Sequence, residues 1–118
     1  MALYDMSFEV IMQDLPLTEP VFLILISLAE RPRHGYSILK DVKETSCGRV
    51  VLSTGTLYGA LRRLLANRLI ERFEEEDSPR GRLAYRLTSS GRRNLQLEMG
   101  RLKHLTRVAN LRVARKEI

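Results

Sequence analysis

The stretch STGTLYGALRRL, residues 53–64, gathers four hydroxyl side chains, Ser53, Thr54, Thr56 and Tyr58, and two guanidinium groups, Arg62 and Arg63. Arginine forks match guanine edges and phosphates, and hydroxyls bond phosphate oxygens, so this set suits the binding of a polyanion. Two glycines, Gly55 and Gly59, interrupt what otherwise reads as a helix. Each is worth about 1 kcal/mol less than alanine in a helix interior, so their presence asks for a reason.

A helical wheel supplies one. At about 100° per residue, Leu57, Leu61 and Leu64 form an inner stripe and Gly55, Gly59, Arg62 and Ala66 lie opposite. Thr56 and Arg63 flank that outer face on one side and Tyr58 on the other. Missing side chains there let the backbone approach a phosphate or a base edge. A nucleotide phosphate loop is a poor rival, because it needs G-x-x-x-x-G-K-[ST] and this segment has neither that glycine spacing nor the lysine.

Catalytic chemistry has little to stand on. His34 and His104 are far apart in sequence and neither belongs to a recognisable ligand or nucleophile motif. Cys47, the only cysteine, cannot form an intramolecular disulfide and cannot alone build a four-ligand zinc site. No cofactor and no metal are expected.

The charge balance points the same way as the arginines. The 118 residues carry a net charge of +6, and residues 1–30 hold five acids and no Lys or Arg. All the basic character therefore lies after residue 30, which suits a nucleic acid or an anionic surface. The longest apolar run, VFLILISLA at 21–29, is about half of what a bilayer requires, and no basic segment precedes it. Neither a signal peptide nor a membrane anchor is expected, and a cytoplasmic location follows.

The surrounding pattern tells which elements must hold the basic segment. Leu3, Met6 and Val10 suggest a marginal helix or arm over residues 1–16. Thr18 is a natural cap, with Glu19 in the first turn, for an apolar helix over about 19–30. After the break at Arg31-Pro-Arg-His-Gly, Tyr36, Leu39 and Val42 mark the inner stripe of a short second helix. Thr45-Ser-Cys-Gly is a turn, Arg49-Val-Val-Leu52 reads as strand-like, and Ser53 caps the glycine-bearing third helix. Leu69–Glu76 and Arg82–Leu87 form a two-stranded hairpin around DSPRG, with Leu83, Tyr85 and Leu87 on its buried side. Thr88 caps a last helix running to about Lys116, roughly 40 Å long and too long for so small a domain to cover. Its stripe of Leu95, Met99, Leu102, Leu105, Ala109 and Val113, with Val108 on a thinner second stripe, suggests dimerisation. The alternative is that one stripe packs on the N-terminal helix of the same chain.

The fold class is therefore mainly α with a small β-hairpin: a winged helix-turn-helix over residues 17–88 and a long C-terminal dimerisation helix over 89–118. In that arrangement the third helix enters the major groove. The wing would add Arg80 and Arg82 on either side of Gly81, although Glu74-Glu-Glu-Asp77 beside them would repel phosphate. His34 and Tyr36, at the start of the second helix, could approach a phosphate.

Three segments, LILISLAERPRHGYSILKDV (23–42), LSTGTLYGALRRLLANRLIE (52–71) and YRLTSSGRR (85–93), resemble the PadR-like family of bacterial transcriptional regulators, in particular its short members. The resemblance spans residues 20–95 and its most specific part is the pairing of HGY with GTLY. It implies a winged-helix dimer that binds an inverted-repeat operator in double-stranded DNA, represses transcription and is often released by a small aromatic or drug-like effector. It puts DNA contact on Ser53, Thr54, Thr56, Tyr58, Arg62 or Arg63 and on the wing around Arg80–Arg82. Where the family usually carries proline after Leu-Tyr, this chain has Gly59, and the tryptophan sometimes present in the family's effector pocket has no counterpart. A flat effector would have Tyr4 or Phe8 to stack on. A winged helix serving only as a protein-interaction module is the alternative function.

Overall fold

The computed structural model describes residues 17–75 and 82–116. The elements are α1 (Glu19–Glu30), β1 (Arg33–His34), α2 (Gly35–Thr45), α3 (Thr54–Ala66), β2 (Ile70–Glu74), β3 (Leu83–Leu87) and α4 (Ser89–Lys116). The N-terminal arm or helix expected over residues 1–16 and the hairpin tip with Arg80 lie outside the described residues.

The helix starts are fixed by side chains that satisfy orphan backbone donors. Thr18 Oγ1 accepts from the Val21 amide and Ser53 Oγ from the Thr56 amide, at 3.3 and 3.1 Å. Thr88 Oγ1 accepts from the Gly91 amide at 3.0 Å and donates to the Arg68 carbonyl at 2.6 Å, which also ties α4 to the end of α3. α2 and α3 end in left-handed residues that are not glycine, Cys47 (φ 57°) and Arg68 (φ 58°). Such a conformation costs about 1 kcal/mol, and each is held by backbone bonds reaching into the preceding helix, Gly48 to Lys43 and Leu69 to Leu64.

The core is one cluster. Ile24, Leu25 and Leu28 of α1 meet Ile38 and Val42 of α2 and Leu57, Leu61 and Leu64 of α3, closed by Ile70, Tyr85 and Leu95. The leucine stripe expected for the third helix is thus its inner face. Three strands, in the order β1-β3-β2 and all antiparallel, cover one end.

Several local expectations are corrected. The hairpin gains a third strand, because Arg33 and His34 pair with Tyr85 and Ala84 along the free edge of β3. Arg49–Leu52 is not a strand: β-branched residues form one only beside a ladder partner, and Val51 is exposed here. Tyr36 is 79% exposed instead of lining the inner stripe of α2, which is Gly35, Ile38 and Val42; Tyr36 stands two residues from Ile38, about 200° around the helix. In β3, Leu83 is exposed and Ala84 is buried, because Ala84 sits between His34 and Phe73 on a central strand while Leu83 extends past the core.

Leu95, expected in the dimerisation stripe, is buried in this core and is not available to a partner. It is only one turn from where Thr88 and Gly91 dock α4 on the domain. Beyond it the expected stripe emerges: Met99, Leu102, Leu105 and Ala109 are exposed and Val108 is half-buried.

Candidate nucleic-acid interface

α3 presents its outer face as the wheel requires. Gly55, Thr56, Gly59, Arg62, Arg63 and Ala66 line a shallow depression of about 530 Å³ on the surface. A Cβ built on Gly55 would meet nothing within 4 Å, and one on Gly59 only the end of Arg62. The glycines are not required by packing inside the chain, and the recess they leave is open to the surface.

Arg62 and Arg63 are exposed and neither forms an ion pair among the described residues. Thr54 and Thr56 are exposed in the first turn of α3. Ser53 is engaged in capping, and its hydroxyl donates to Thr56 Oγ1 at 2.9 Å, which leaves the Thr56 proton free to donate outward. The helix N-terminus adds its own positive end toward an anion.

Tyr58 is half in contact with protein. Its hydroxyl lies against Gly35 at the start of α2, so the HGY and GTLY segments meet in space. Tyr36 stands exposed one residue on. His34 does not share that freedom: Nδ1 faces the Leu83 carbonyl at 3.1 Å and Nε2 the Glu75 carboxylate at 2.9 Å, which fastens β1 to the base of the wing.

That contact bears on the wing's acids. Glu75 faces the His34 ring and Glu71 pairs with Arg86 at 2.7 Å, so both carboxylates are engaged by neighbouring side chains. Arg86 also lies 4.5 Å over the ring of Phe73. Arg82 is exposed at the described end of the wing. Behind it, Tyr85 is buried against the helices; burial pushes its phenol up, Tyr58 adds to this and Arg72 opposes it.

Two supporting residues had no signal in the hydropathy pattern. Arg33 is buried, yet each of its three side-chain nitrogens has a partner: Nε donates to the Ser27 carbonyl at 3.0 Å, Nη1 to Ser37 at 2.9 Å and Nη2 to Glu30 at 2.8 Å. It locks the end of α1 to α2 and so sets the helix pair that carries α3. Glu98 is a buried carboxylate on α4 that accepts from the Leu17 amide at 2.7 Å and from Arg101. The Arg101 guanidinium holds its carboxyl below the usual range against the opposing effect of burial.

A capped third helix with a bare, basic outer face, packed on two helices and flanked by a three-stranded wing, defines a winged helix-turn-helix of the DNA-binding kind. The chain belongs to the PadR-like family of transcriptional regulators, a family of non-enzymatic regulators, whose sequence model matches residues 24–97. A PadR family transcription regulator from Clostridium difficile R20291 is 30% identical, with 81% of this chain and 99% of that chain covered and a TM-score of 0.68. Bacillus subtilis PadR, solved in complex with operator DNA, shares the fold at 23% identity and a TM-score of 0.60, over 69% of this chain and 45% of that one. An uncharacterized 37.1 kDa protein in transposon TN4556 of Streptomyces fradiae is 38% identical over 84 residues, 71% of this chain, which spans only 23% of that protein. No helix among the described residues is long and apolar enough to cross a membrane.

Proposed function

We propose that this regulator binds an inverted-repeat operator as a homodimer and represses transcription from it. The observation that carries the reading is the outer face of α3, where two exposed, unpaired arginines stand beside glycines that the chain's own packing does not need. Inserted in the major groove, Arg62 and Arg63 would read guanine or grip phosphate, while Ser53, Thr54, Thr56 and Tyr58 hold the adjoining backbone and Arg80 and Arg82 reach the flanking groove.

Dimerisation follows from α4. Met99, Leu102, Leu105, Val108 and Ala109 continue along its exposed length, and paired protomers would place two α3 helices about one DNA turn apart. Release by a small-molecule effector, which the resemblance implies, completes the proposal.

Selection from a random duplex pool is the direct test. Recovery of a two-fold symmetric site, with half-sites about 10 base pairs apart, supports the reading. Recovery of no DNA, with a salt dependence of affinity near zero, favours the protein-interaction module instead.

A further inference from the structure

Across the three strands, Arg33, Tyr85 and Arg72 are paired in one row and therefore stand on the same face of the sheet. Their environments differ sharply. Arg33 is buried and hydrogen-bonded to α1 and α2, Tyr85 is part of the core, and Arg72, on the outer strand β2, is exposed. Tyr58 comes to the same place from α3, its hydroxyl against Gly35 and close enough to Tyr85 to act on that phenol. Arg72 thus sits at the joint between α3 and the wing.

That joint has a definite position relative to a bound duplex. If α3 occupies the major groove and the wing reaches the adjacent minor groove, the phosphate strand separating those grooves must cross between them. Arg72 is the cation at the crossing. The other strand arginines are matched by acids, Arg86 by Glu71 and Arg33 by Glu30, whereas no carboxylate among the described residues pairs with Arg72, including Glu74 one step along the same face. Its neighbour is the Tyr85 hydroxyl, a neutral oxygen, which can orient a guanidinium without cancelling its charge.

We propose that Arg72 grips a DNA phosphate at the joint between recognition helix and wing, and that Tyr85 is the residue that positions it. The inference rests on the DNA-binding reading above and adds a contact that carries no sequence information. Arginine suits the task because its planar fork can bond a phosphate and a neighbouring oxygen together.

The test uses the full chain, a duplex recovered by selection and a scrambled duplex of equal length, with affinities measured over a salt series. For Arg72→Gln the account expects roughly fivefold weaker binding to both duplexes near 0.1 M salt, and a salt slope shallower by about 1. Tyr85→Phe keeps the buried ring and should weaken wild-type binding by less, with no further effect in the Arg72→Gln background. Arg72→Lys, which keeps the charge, should recover part of the slope. Thermal melts of each variant show whether the fold is intact. A folded Arg72→Gln protein with wild-type affinity and slope overturns the proposal, as does a Tyr85→Phe effect undiminished by Arg72→Gln. A wild-type chain that binds neither duplex would instead overturn the DNA-binding reading itself.

Discussion

The hydroxyl of Tyr58 on α3 lies so close to Gly35 on α2 that a Cβ added at residue 35 would sit 2.4 Å from the oxygen and 3.0 Å from the ring carbon bearing it. The obstacle is the far end of a side chain, which can swing away. Gly35→Ala should therefore cost little stability, about 1 kcal/mol or less, while displacing Tyr58 and weakening DNA binding. In a Tyr58→Ala background the same substitution should have no further effect on affinity. Binding isotherms of the two single variants and the double variant check this.

Gly91 gives the opposite case. A Cβ there would lie 1.9 Å from the Leu69 carbonyl oxygen, which is backbone and cannot rotate away. Gly91→Ala should destabilise the chain by about 3 kcal/mol, read as a lower urea midpoint, because α4 must lift off the turn after α3.

Gly55 and Gly59 separate stability from function. Neither meets protein closely, so Gly55→Ala and Gly59→Ala should each raise helix stability by up to about 1 kcal/mol. Both should nonetheless weaken operator binding, since a methyl group fills the recess. Higher melting temperature with unchanged affinity would remove the access argument.

Glu98 sets an acid limit. Its carboxyl is held low in the folded chain by Arg101, so its contribution to stability is present above the ordinary carboxylate value, near 4.5, and is lost as pH falls through the lower folded value. Glu98→Gln should be less stable at neutral pH by about 1–3 kcal/mol and should lose less than the wild type between pH 5 and pH 3. Thermal midpoints across that range test the sign.

The residues that made the fold legible are those whose signal is local. Thr18, Ser53 and Thr88 cap helices because a hydroxyl serves the nearest orphan amides, and the leucines of α3 mark its inner face because the helical period is strong over thirteen residues. What was hidden depends on partners distant in sequence. Two residues of β1 carry no period and become a strand only because β3 leaves an edge open. Leu83 and Ala84 exchange the roles that alternation assigns because Ala84 has a strand on both sides, while β1 stops short of Leu83 and leaves it only Glu74 of β2. Leu95 belongs with Met99 and Leu102 by spacing, yet the docking of α4 through Gly91 draws it into the core. Arg33 and Glu98 read as surface charges until their buried partners are seen. At the site, the outward set of Gly55, Gly59 and Arg62 was readable on the wheel, while the engagement of His34 by Glu75 was not.

The most direct measurement is the salt-dependent affinity of Arg62→Ala and Arg63→Ala for a selected duplex and its scrambled counterpart. If α3 reads DNA through these arginines, each variant binds the selected duplex about 1–3 kcal/mol more weakly and loses discrimination between the two, with a smaller salt slope where the contact is to phosphate. Wild-type affinity, discrimination and slope in both variants would contradict the assignment of α3 as the recognition helix.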